Sequence, residues 1–146
     1  MAKLRPEQLT SALKQQLAPV YLVCGDETLL VQETCDLIRN SARQQDFLER
    51  IIYNVDKSFE WHELLTEANS LSLFAEKKIL ELRIENGKPG DRGSKALVEY
   101  CANPSPDNLL LVVTPKLDGN TQRGKWFKKL EKSGVVIQVW PVTEHQ

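Results

Sequence analysis

The chain is poor in the residues from which catalytic and metal centres are usually built. It has two histidines, His62 and His145, and three cysteines in 146 residues. A zinc site draws on several His, Cys or carboxylate ligands at close spacing, and no such cluster is present. A Ser–His–Asp or Cys–His arrangement would have to use His62, since His145 falls in the expected tail. His62 shares an expected helix with Glu60 and Glu63 and reads as solvated surface, and nothing marks that carboxylate pair as an acid–base couple. Cys24, Cys35 and Cys101 have no C-x-x-C spacing, and an odd number argues against a disulfide framework. Two of them fall in apolar runs and read as small core residues in a reducing compartment. A net charge of −1 provides no global field for nucleic acid or anionic lipid. No window approaches the roughly 18 apolar residues of a membrane span, and the opening Met-Ala-Lys-Leu-Arg-Pro has no apolar run of the signal-peptide kind. The expectation is a soluble cytoplasmic protein without metal, cofactor or membrane partner.

What is present describes one ordinary globular domain, with 41% hydrophobic and 27% charged residues. Pro6 suits a first helical position, and Leu9, Ala12, Leu13 and Leu17 follow at helical spacing. Val20–Cys24 is a continuous apolar run of strand length, the pattern of a strand buried on both faces. Gly25-Asp26 makes a turn, with Asp26 as expected N-cap of a helix that carries Leu30, Leu37 and Ile38 inward and Arg39, Arg43 and Gln44 outward. Arg50–Val55 is a second strand, and Ser58 is placed to cap a helix with the stripe Trp61, Leu64, Leu65 and Ala68. Lys78–Ile84 is a third strand, followed by the turn-rich Asn86-Gly87-Lys88-Pro89-Gly90. Ala96, Leu97, Tyr100 and Cys101 form a helical stripe ending before Pro104, and Leu109–Val113 is the purest strand signal. A helix from Thr121 turns Trp126, Phe127 and Leu130 inward and stops at Gly134, a fitting C′ residue, before the strand Val135–Trp140. Strands alternating with helices predict an α/β fold of three layers, with a mostly parallel five-stranded sheet flanked by helices.

A strand, a glycine and a helix are the setting of a nucleotide phosphate cradle. The motif GxxxxGK[ST] begun at Gly25 requires Gly, Lys and Ser or Thr where this chain has Leu30, Val31 and Gln32. Asp26 and Glu27 also bring negative charge to a helix start that would have to attract phosphate. No functional P-loop is expected. The basic cluster Arg123, Lys125, Lys128, Lys129 and Lys132 surrounds Trp126, a composition able to track a phosphate backbone. Because Trp126 fits the inward stripe, the lysines read first as a solvated face, with Lys125, Lys128 and Lys129 as at most a weak DNA contact.

Ser70-Leu71-Ser72-Leu73-Phe74-Ala75 lies between an expected helix and an expected strand, where a connection should be polar. Leu71, Leu73 and Phe74 either close the end of the core or are offered to a pocket on another protein. Spacing alone leaves both readings open.

Leu4-Arg5-Pro6-Glu7-Gln8-Leu9, Tyr21–Glu27, Leu29–Glu33, Leu71–Ala75, Glu85-Asn86-Gly87, Asn108–Val113 and Trp126-Phe127 occur in an order and spacing that resemble the N-terminal domain of the DNA polymerase III delta subunit family, bacterial clamp-loader components. The resemblance implies an AAA+ type of α/β fold, related to P-loop NTPases, without ATP binding. It implies that residues 1–146 are a single clamp-binding domain cut from a longer subunit that continues with lid and collar domains. It further implies that Leu73 and Phe74 plug a hydrophobic pocket on the beta sliding clamp, with Leu71 pressing on the surface beside it and Asn69, Ser70 and Ser72 flanking. Family members often carry Gln, a polar anchor, where this chain has the shorter Asn69; the plug does not depend on that hydrogen bond. The implied role is opening the ring for loading in replication, in company with other clamp-loader subunits. The alternative is a degenerate NTPase-like domain that binds nucleic acid.

Overall fold

The five apolar residues Leu109–Val113 need two covered faces, and the sheet is arranged around that need. The structure is a computed structural model that describes residues 2–4, 9, 12–13, 17–56, 58–69, 77–103 and 107–139. Its strands are β1 (Ala2–Leu4), β2 (Val20–Cys24), β3 (Phe47–Val55), β4 (Lys77–Ile84), β5 (Asn108–Thr114) and β6 (Val135–Gln138). Its helices are α1 (Thr28–Gln44), α2 (Trp61–Asn69), α3 (Gly90–Ala102), α4 (Gly119–Gln122) and α5 (Lys125–Ser133). All pairings are parallel, in the order β1-β6-β2-β5-β4-β3. The five expected strands are present, and β1 adds a sixth at the edge beside β6.

Side-chain alternation divides the apolar strands between two cores. Leu109 and Leu111 join Tyr21, Val23, Ile79 and Ile137 under α1 and the helical residues Leu9 and Leu13. Leu110 and Val112 join Val20, Leu22, Leu80, Leu82, Ile84 and Val136 under α2, α3 and α5. This is the three-layer α/β arrangement, with sequential strands joined by helical crossovers. At the edge, β3 keeps Ile51 and Tyr53 packed on the second core while Leu48 and Ile52 are exposed.

Several local expectations are corrected. Glu27, not Asp26, is the N-cap of α1 and makes no side-chain cap; the Asp26 carboxylate instead accepts a hydrogen bond from the Lys116 backbone N–H at 2.9 Å, joining the loops after β2 and β5. Ser58 donates through N–H and Oγ to Asp56 and does not cap α2, which begins three residues later. The helix expected from Thr121 is two helices parted at Gly124, the first capped by Asp118, whose carboxylate accepts from Thr121 N–H. Gly134 ends α5 in an extended conformation, so left-handed backbone is not its reason. A Cβ there would stand 2.0 Å from the Val20 carbonyl oxygen, and close approach to β2 explains the glycine.

The main departure is on α1. Leu37 is exposed, Val31, Thr34, Cys35, Ile38 and Ala42 form the buried stripe, and Arg39 turns in toward the sheet. Its target is Glu81, a fully buried carboxylate in β4. Arg39 Nη1 and Arg50 Nε donate to Glu81 Oε1 at 3.0 and 2.9 Å, and Arg83 Nε donates to Oε2 at 2.8 Å. Asp36 makes a further ion pair with Arg39. Burial raises the Glu81 pKa, but the hydrogen bonds from Arg50 and Arg83 and the charge of Arg39 more than offset it, and the carboxyl is held below its ordinary value. Glu81→Gln keeps one neutral oxygen acceptor but turns an NH2 donor toward the arginines and leaves their charge uncompensated, so it should lower stability at pH 7 by about 3 kcal/mol. A depressed folded pKa contributes stability above the unfolded value and loses it as pH falls through the folded one. Urea melts of both proteins should therefore differ at neutral pH, and the gap should begin to narrow below about pH 4 and close as pH falls through the depressed folded pKa; a constant gap down to pH 2 would contradict this assignment.

Candidate functional site

Two places carry the functional expectations: the end of the sheet beyond Gly25, and the junction between α2 and β4. In parallel α/β sheets, ligands bind beyond the carboxyl ends of the strands, where the strand order reverses. A cleft of about 400 Å³ opens there, with Gly25, Asp26, Gln32, Arg39, Arg83 and Thr114 among its lining residues. The backbone that would cradle a phosphate is otherwise engaged. Gly25 N–H donates to the Thr114 carbonyl at 3.2 Å, and Val31 N–H to that of Glu27 at 3.0 Å. A Cβ on Gly25 would come within 2.6 Å of the Val139 carbonyl oxygen, so this glycine serves packing against the end of β6. Val31, in the place of a phosphate-binding lysine, is buried in the core. Cys35 also lines the cleft, but burial pushes its thiol up to about 12, so it stays protonated and unreactive near neutral pH. Cys101, outside the cleft, is pushed by burial up to about 11.

The second place is built as a mount. Phe59 stacks edge-on against Trp61 at 5.0 Å and Tyr53 at 5.7 Å, fixing the start of α2 against β3. At the other end, the buried Asn108 Nδ2 donates to the Ala68 carbonyl at 2.7 Å, satisfying a terminal helix acceptor. Lys78, nearly fully buried at the start of β4, pairs with Glu67. Asn69, the last residue of α2, is exposed, and its Nδ2 donates to the Leu65 carbonyl at 2.9 Å. That bond uses one of the two amide N–H groups. Ser70, Leu71, Ser72, Leu73 and Phe74 follow directly and lie outside the described residues. What the structure describes is the anchoring of the elements on either side.

The other expected residues fall as follows. His62 is exposed, with Nδ1 3.5 Å from Glu60 Oε2. Lys125 and Lys128 are exposed and Lys129 is half-buried, while Trp126 is buried against Phe127 and is not offered for base stacking. Among the described residues no group of His, Cys, Asp and Glu could hold a metal ion, and no helix is long and apolar enough to cross a membrane. Sequence reasoning missed Glu81. Its signal was a lone carboxylate between Leu80 and Leu82, inside the apolar run Ile79–Leu82 of the strand.

The crossover order and the cleft at the strand ends define a three-layer parallel α/β module. The model of the family described as DNA polymerase III, delta subunit, matches residues 21–139, and the chain belongs to this family. It is 30% identical over 137 residues to DNA polymerase III subunit delta of Escherichia coli, covering 94% of this chain and 40% of that protein. With the Haemophilus influenzae subunit delta it shares 34% identity over 132 residues, covering 90% of this chain and 38% of that protein. The chain thus spans about two-fifths of the curated relatives it matches. Among solved structures it resembles the Bacillus subtilis DNA clamp loader delta protein, with TM-score 0.68 and 22% identity over 91% of this chain and 42% of that one. A gamma subunit-related protein of Thermotoga maritima has TM-score 0.54 at 10% identity, covering 96% of this chain and 47% of that one. These two likenesses support the fold.

Proposed function

We propose that this chain is the clamp-binding N-terminal domain of a clamp-loader delta subunit, and that it grips a sliding clamp through Leu71, Leu73 and Phe74. The carrying observation is that the family match runs unbroken across these residues, between an α2 terminus held by Asn108 and a β4 start held by the Lys78–Glu67 pair. An apolar segment on such a mount reaches a partner without the fold having to yield. Burying a Leu and a Phe contributes about 1.5–3 kcal/mol each before ordering costs, enough to dominate an interface. Leu73 and Phe74 fill a pocket on the ring, Leu71 covers the surface beside it, and Asn69 Oδ1 with Ser70 and Ser72 supply the polar rim.

Ring opening follows from differential affinity. A partner that binds the parted ring better than the closed one shifts the equilibrium toward the parted state, with no nucleotide needed at this domain. ATP would act through other clamp-loader subunits, joined through the remainder of the delta chain. Titration calorimetry with Mg²⁺–ATP should give no saturable heat in the micromolar range; saturable binding would overturn this reading of Gly25. The nucleic-acid alternative is weaker, because Trp126 is buried and the remaining lysines offer only a diffuse, salt-sensitive attraction.

The double variant Leu73→Ala with Phe74→Ala separates a plug from a core closure. A plug predicts thermal melting equivalent to a change under about 1 kcal/mol, with clamp affinity reduced at least tenfold, which takes only about 1.4 kcal/mol. Core residues would instead each cost about 2–5 kcal/mol of folding stability. A variant that melts normally and binds the clamp at full strength would remove the assignment.

A further inference from the structure

The two faces of the sheet are covered unequally. Helices α2, α3 and α5 pack on the core that holds Leu80 and Leu82, whereas α1 with Leu9 and Leu13 is the helical cover of the other core among the described residues. On that second face the register sets Arg50, Ile52 and Asn54 of β3 beside Ile79, Glu81 and Arg83 of β4. Ile79 and Glu81 are buried, but Arg50, Ile52 and Asn54 are all exposed, so the cover stops short of β3. Ile52 keeps 41% of its surface in water, with Arg50 on its own strand and Arg83 diagonally across on β4.

The arginines here are not used up by their internal partner. Glu81 accepts from Arg50 and Arg83 through Nε alone, which leaves the Nη nitrogens of both without a hydrogen-bond partner among the described residues. Three guanidiniums, those of Arg39, Arg50 and Arg83, meet two carboxylates, Glu81 and Asp36. The cluster therefore keeps a positive excess, and it is accessible: the Arg50 and Arg83 side chains are 37% and 46% exposed. Free Nη pairs of this kind are matched to carboxylate oxygens.

The strand that carries Arg50 is also open along its length. β3 is the last strand of the sheet and pairs only with β4, so one row of its backbone N–H and C=O groups faces outward. It has no proline or lysine of the sort that commonly blunts an edge, and its one irregularity, between Phe47 and Glu49, precedes Arg50.

We propose that β3 takes an extended acidic segment of a partner protein as an added strand. Side chains of an added strand alternate between the two faces. One carboxylate then lies beside Arg50, an apolar side chain beside Ile52, and a second carboxylate beside Asn54, whose neighbour on β4 is Arg83. The recognised pattern is acidic–x–apolar–x–acidic. Backbone pairing supplies affinity, and the guanidiniums select the sign of the partner. A phosphate backbone suits the place less, because it has neither amides for the strand edge nor an apolar group for Ile52. The surface belongs to the face opposite α2, so the inference stands apart from the clamp-binding reading.

The test titrates the peptide Gly-Glu-Thr-Val-Thr-Glu-Gly, blocked at both ends, into the isotope-labelled chain and follows backbone amide shifts. Saturable shifts centred on β3 are expected, with a dissociation constant below about 1 mM. The same peptide with Lys for Glu should not bind. Arg50→Lys keeps a cation for Glu81 but loses the outward guanidinium nitrogens, and should weaken binding by about threefold or more. Ile52→Glu, at an exposed position, places the chain's own carboxylate beside the arginines; it should leave the amide spectrum of the fold intact and weaken binding at least about fivefold. If Arg50→Lys disturbs the fold, Ile52→Glu decides alone. No saturable shifts, shifts centred on the lysines of α5, equal binding by the Lys peptide, or full binding by Ile52→Glu would each overturn the proposal. Tighter binding of a short DNA oligonucleotide at the same β3 amides would assign the edge to a phosphate backbone and overturn it as well.

Discussion

The structure depends on burying a parallel sheet on both faces. Every backbone group in β2, β5 and β4 must be satisfied within the sheet, and every side chain must meet a helix layer. That constraint makes Glu81 consequential, because a carboxylate at the centre of β4 has no water to turn to. Its partners come from three elements: Arg39 on α1, Arg50 on edge strand β3 and Arg83 on β4 itself. The cluster fastens α1 across β4 to β3, near the strand ends where related folds would place a ligand. An internal anion thus occupies the arginines that line the cleft beyond Gly25.

In the opposite layer the end of α2 is anchored to the sheet. Asn108 and Lys78 lie at the starts of β5 and β4, and both reach the last turns of α2. The helix is therefore held at the point where it gives way to the apolar Leu71–Phe74 segment. Under the proposed function, anchored flanks would reduce the ordering cost of binding.

Much of the fold was legible in the sequence. Runs such as Val20–Cys24 and Leu109–Val113 admit few structures other than doubly buried parallel strands, and the stripe through Ala96, Leu97, Tyr100 and Cys101 is buried as its spacing implies. The errors have physical causes. Three residues, Ala2–Leu4, are too few for periodicity to reveal a strand that depends on pairing with β6. The face of α1 was misjudged because Leu37 and Arg39 were sorted by polarity, whereas a contact with Glu81, 42 residues away, decides where Arg39 points. Asp26 looked like a cap because its use by Lys116 N–H is a tertiary contact. At the candidate site, composition and spacing left Leu71, Leu73 and Phe74 between core and interface, and only the family resemblance favoured the interface.

The central claim is that the 70–76 connection itself makes the contact with the ring. It is tested most directly by competition. A synthetic peptide covering residues 67–77 is titrated into the complex of this chain with a sliding clamp, beside a control peptide with alanine at positions 73 and 74. The account predicts that the native peptide displaces the chain to completion, that the control does not, and that the chain binds more tightly than the peptide because its flanks are pre-ordered. A chain that stays bound to the clamp under saturating native peptide would contradict it.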